Sequence, residues 1–214
     1  MVRKGNQEKI RVILNQALVA NTQHNQILLA MLQGVISGPD YKAKDELRDK
    51  LCSHIPKIID AFVLAQEGSE YDTWKSFLLF LAQGTNPSNM LAGTNKLSLI
   101  SKDKNNTPEK RSSALEVLAV LNPNYAGVNY ADFVHPQQPA KLQITALQIL
   151  SKQKMQDIQF SGFIVNNWKN FTPEVRDESV NLMLENNIRI AALLDAIEKN
   201  SISATAIGWG RSVN

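Results

Sequence analysis

An all-α fold is predicted, and three observations predict it. Apolar residues recur at helical spacing along most of the 214 residues, and no sustained period-two alternation marks a strand. Glycine (10) and proline (8) fall below average usage of about 7% and 5%, as expected of helices joined by short connections. The third observation is a repeat: PEKRSSALEVLAVL, PAKLQITALQILSK and PEVRDESVNLMLEN open at Pro108, Pro139 and Pro173, spaced 31 and 34 residues apart. An isolated helix pair cannot bury both apolar faces, so such units must stack.

Taken in order, Ile10, Ile13, Leu14, Ala17 and Leu18 form one helical face. Ile27, Leu28, Met31, Leu32 and Val35 form a second beyond the polar break Asn21-Thr22, giving a helical hairpin that ends near Gly34, Gly38 and Pro39. Asp45 to Ala65 reads as a longer helix, kinked or broken by Pro56, with Leu47, Leu51, Ile55, Ile58, Ile59, Phe62 and Val63 inward. Asp72 to Gln83 follows, with Asp72 as N-cap, Trp74, Phe77, Leu78, Leu81 and Ala82 on its apolar face, and Gly84 as its stop. Residues 84–113 read as an irregular, mobile segment in which only Leu97 to Ile100 suits a short helix. Its basic group, Lys102, Lys104, Lys110 and Arg111, is interleaved with Asp103 and Glu109 and reads as solvated charge.

From residue 107 to 201 the three clearer repeats run on. Thr107 and Thr172 stand as N-caps before prolines whose missing N–H has no intrahelical partner in a first turn. Each unit then supplies a second helix, around Tyr125 to Val134, Met155 to Trp168 and Ile188 to Lys199. With residues 1–83 as N-terminal helix pairs and 202–214 as an exit segment, the expectation is one domain over residues 1–214. It is an α-solenoid of about five to six stacked antiparallel pairs, of the HEAT or armadillo kind. The competing architecture is a compact, non-repeating helical bundle.

Composition excludes several function classes. With 43% hydrophobic and 20% charged residues the chain is neither disordered, collagenous nor disulfide-stapled. A net charge of +3 from scattered cations does not mark a nucleic-acid binder. Cys52 stands alone, so it can form neither an intrachain disulfide nor a thiolate cage, and it reads as a small buried hydrophobe. Cys52 and His54, two apart, point about 200° around a helix and cannot share an ion. The only other histidines are His24 and His135. Asp45, Glu46 and Asp49 suit a helix amino end. No phosphate-cradling loop, zincin helix, nucleophile elbow or CxxCH occurs.

Catalytic, cofactor-binding and metal-ligating residues are therefore none, and no cofactor or small-molecule ligand is expected. Val12 to Pro39 lacks charge but carries Asn15, Gln16, Asn21, Gln23, His24, Asn25 and Gln26, so no membrane span is expected. Arg3 and Lys4 lead into Asn6-Gln7-Glu8-Lys9 and not into a secretory apolar core. Asn105-Asn106-Thr107 and Asn170-Phe171-Thr172 match a glycosylation acceptor pattern, but each Thr is better explained as an N-cap. Trp168, at a helix end, is expected to join one repeat to the next. Trp209, between two glycines, and Arg211 beyond it are the candidate interdomain contacts, and the ending Gly-Trp-Gly-Arg-Ser-Val-Asn predicts a piece excised from a larger protein.

A family resemblance rests on Trp168, Thr172, Pro173, Val175 and Arg176, followed by Leu193, Leu194, Asp195, Ala196, Ile197 and Glu198. These residues resemble the last helical repeats of large bacterial proteins of planctomycetes, Verrucomicrobia and Bacteroidetes. Those proteins join a dehydrogenase-like β-propeller, a HEAT-repeat region and a c-type cytochrome domain. The likeness is closest over about the last 75 residues, 140–214, and looser from Thr107. It implies a non-catalytic scaffold or spacer between propeller and cytochrome, in an exported or periplasmic protein. It transfers no catalytic or haem-binding residue, because the chain carries neither a CxxCH nor a propeller. Two other classes compete. One is a HEAT-like DNA glycosylase, which needs a strongly basic groove; the other is a cytosolic peptide-binding repeat module.

Overall fold

The computed structural model describes residues 51–65, 68–83, 91–123, 125–153 and 156–208, with positions 9, 12, 14–16, 30, 33, 34, 37 and 48. Most of the hairpin expected over residues 10–35 lies outside the described residues, as does Gly84. Among the described residues every regular element is helical and none is a strand. The chain divides into two compact units, Met1–Gly127 and Val128–Asn214.

In the first unit Pro56 breaks the helix expected over Asp45 to Ala65. Cys52–His54 form a single 3-10 turn, and α1 (Ile55–Leu64) starts afresh with Pro56 in its first two positions, where no intrahelical N–H bond is lost. Helix α2 (Ser69–Ala82) begins earlier than its sequence signal, because Gly68, at φ 140°, takes the N-cap position expected for Asp72. Glu70 and Asp72 instead lie in the first turn, where carboxylates complement the helix dipole.

Within residues 84–113, where only Leu97 to Ile100 was expected to be helical before the repeat signal at Pro108, α3 runs over Leu91–Lys102, so the irregular reading is corrected there, while α4 (Pro108–Leu121) starts at its expected proline. The buried face of α3 carries Gly93, Thr94, Leu97, Ser98, Ile100 and Ser101, so half of it is small and polar. Ser101 satisfies its own hydroxyl by donating to the Ser98 carbonyl at 2.9 Å. Gly93, which reads as a breaker, is a point of close approach: a Cβ there would lie 2.1 Å from Ile59 Cδ1. Helix α1 meets α2 and α3, and α4 meets the same two. Ile55, Ile58, Ile59, Phe62, Trp74, Phe77, Leu78, Leu97, Leu115 and Leu118 are buried in this unit.

The second unit opens on a difference. Where a helix was expected around Tyr125 to Val134, turns lead into a five-residue 3-10 segment, Tyr130–Val134, started by Asn129 accepting from the Ala131 N–H and lying against α5 (Ala140–Lys152). Pro123 and Gly127 leave too short a run for an α-helix. The later helices follow their sequence signals closely: α6 (Asp157–Asn167), a 3-10 turn at Trp168–Asn170, α7 (Pro173–Met183) and α8 (Asn187–Glu198).

The Thr172 hydroxyl accepts from the Val175 N–H, as Thr107 does from Lys110, so both expected caps are present. Asn200, at φ 56°, ends α8 by letting the Ser201 N–H reach back to the Ala196 carbonyl at 2.9 Å. Helix α5 meets α6 and α7, and α8 meets the same two.

Candidate functional site

Trp209 and Arg211, the candidate interdomain contacts, lie outside the described residues, as do His24 and the Cys52 side chain. Trp168 is buried at the end of α6, as expected of a packing residue. His54 and His135 are engaged locally, with the Ser53 hydroxyl and the Gln137 N–H respectively. Among the described residues no group of three or more His, Cys, Asp or Glu could hold a metal ion. Nor, among them, is any helix long and apolar enough to cross a membrane.

The distinctive electrostatics belong to arginines. The last four carbonyls of a helix have no intrahelical partner and carry the negative end of its dipole. Arg111, in the first turn of α4 and only 4% exposed, donates Nε to the Ser101 carbonyl at the carboxyl end of α3 at 3.0 Å. Arg176, in the first turn of α7, donates to the Trp168 and Lys169 carbonyls at 3.1 and 3.2 Å, and its guanidinium lies over the Trp168 ring. Arg48 does the same for α2, donating to the Phe80 carbonyl at 3.0 Å and stacking on the Phe80 ring. Lys110 donates to the Val63 carbonyl in the last turn of α1 at 2.8 Å. The basic group expected to be solvated is thus corrected in part: Lys110 and Arg111 serve helix ends, and Lys102 donates to the Gly127 carbonyl. Burial lowers the pKa of Arg111, and the charge of Asp103 opposes that shift.

Arg189, also 4% exposed, ties the four helices of the second unit together. It donates to the Ser151 carbonyl in the last turn of α5 (2.7 Å) and to the Leu182 carbonyl in the last turn of α7 (3.1 Å). It pairs with Asp157, the first residue of α6 (2.7 Å), and with Glu185 (3.0 Å), and lies 4.6 Å over the Phe160 ring. Asn186, the N-cap of α8, donates to the same Asp157 oxygen at 3.1 Å. Hydrogen bonds from Asn186 and then Arg189 hold the Asp157 carboxyl below the usual range, against a smaller opposing effect of burial.

A depressed carboxyl stabilises the fold above its unfolded pKa of about 3.9, and that contribution is lost as pH falls further, through the folded value. We expect acid unfolding monitored by circular dichroism to show this loss below about pH 4. Asp157→Asn should flatten the slope of stability against pH there; an unchanged slope would count against the pairing.

Tyr130 gives the opposite case. Its hydroxyl is buried with no partner among the described residues, and burial pushes its pKa up to about 12. The unfolded chain ionises near pH 10, so stability is held below that and lost between about 10 and 12. Tyr130→Phe should remove this alkaline loss and raise stability at neutral pH by about 1 kcal/mol, since an unpaired buried hydroxyl costs more than it contributes. A urea midpoint below that of the parent protein would contradict it.

The arginines leave a trace in the sequence, although none belongs to a catalytic motif. Arg111, Leu115 and Leu118, then Arg176, Val180 and Met183, then Arg189, Leu193 and Ala196 share one spacing, with arginine in the first slot of a core stripe. A charged residue in phase with buried ones signals a partnered interior cation. Comparison of the chain with family models, with curated proteins and with solved structures gave no match.

Proposed function

We propose that this chain is a non-catalytic helical-repeat scaffold, an α-solenoid module that mediates contacts between protein domains. The arrangement that supports this reading most is the recurrent arginine in a helix's first turn, clamped on the carboxyl end of the helix before it, at α4, α7 and α8. Such a clamp fixes the turn of each helix pair and stiffens a module whose use is its shape. The contacts within each unit, where two helices each meet the same other two, support it too. The resemblance of residues 140–214 places the module, in this proposal, between a dehydrogenase-like propeller and a c-type cytochrome domain of an exported protein. A DNA-processing role would need free guanidinium groups along a groove, and Arg48, Arg111, Arg176 and Arg189 are instead spent on internal carbonyls.

Antibodies raised against the chain test the spacer reading directly. In an extract of the source cells they are expected to detect a polypeptide well above 23.8 kDa that also stains for covalent haem. A haem-free species of 23.8 kDa would overturn the propeller-to-cytochrome placement.

A further inference from the structure

We draw no further inference here: the strongest candidate, the exposed apolar side chains Ile158 on α6 and Ile188 and Leu194 on the neighbouring α8, is an unpartnered surface, and nothing in the structure shows what covers it.

Discussion

Arg189→Met is expected to destabilise the Val128–Asn214 unit by about 3 kcal/mol. Methionine roughly keeps the apolar volume over Phe160 but carries no donor, so the buried bonds to the Ser151 and Leu182 carbonyls disappear together. Each orphaned buried carbonyl costs about 1–3 kcal/mol. Removing one partner from a buried charge network costs about 3–5 kcal/mol in all, the orphaned carbonyls included, and the low end applies because the Asp157 side chain remains 32% exposed and water can take up its charge. Arg189→Lys keeps the charge on a single ammonium that cannot serve two carbonyls and a carboxylate in one plane, so it should recover less than half of the loss. Urea unfolding gives the magnitude, and hydrogen exchange locates it: amides at the ends of α5 and α7 should lose protection first. In the double variant with Asp157→Asn the two effects should fall short of their sum, since both remove one pairing. A loss under about 1 kcal/mol for Arg189→Met would show that the clamp is incidental.

How much of this was legible in the sequence depends on which force shaped each element. Thr107-Pro108 and Thr172-Pro173 announce α4 and α7 because capping and proline geometry are local, decided within four residues. Helices α6 and α8 lie within two residues of their expected bounds, since apolar spacing alone defines them. Helix α3 was read as no more than Leu97 to Ile100 because Gly93, Thr94, Ser98 and Ser101 are buried where large apolar residues are sought, and at Gly93 the nearness of Ile59 on α1 leaves little room for a side chain. The helix expected at Tyr125 to Val134 failed for the converse reason, aromatic and aliphatic residues suggesting a stripe that Pro123 and Gly127 do not allow to run. Of the candidate site, Trp209 and Arg211 lie outside the described residues, whereas the clamping arginines are tertiary features: the spacing marks them as interior, but only the fold shows which helix end each one meets.

Gly93 gives the second large effect. Gly93→Val is expected to destabilise the Met1–Gly127 unit by about 3 kcal/mol, the upper part of the range for overpacking. The new Cβ would sit 2.1 Å from Ile59 Cδ1 and 3.2 Å from Cγ1, and because Ile59 is fully buried in α1, its end methyl can move away only at the expense of its close-packed surroundings. Valine's two further methyl groups extend the clash, and its modest helix propensity offsets little of it. For Gly93→Ala the balance is closer. Alanine gains about 1 kcal/mol of helix propensity over glycine, against an overpacking cost of about 1–3 kcal/mol, which leaves a net loss of about 1 kcal/mol.

Ile59→Val separates this account from a general intolerance of α3 to substitution. Alone it removes the offending methyl and should cost about 1 kcal/mol as a small cavity. Combined with Gly93→Ala it opens room for the new Cβ, so the double variant should be no less stable than Ile59→Val alone and could exceed it through the helix-propensity gain. Strict additivity in urea unfolding would mean that α1 and α3 do not meet at this glycine, and the helix that replaced the expected irregular segment would then have to be held against its neighbour by other contacts.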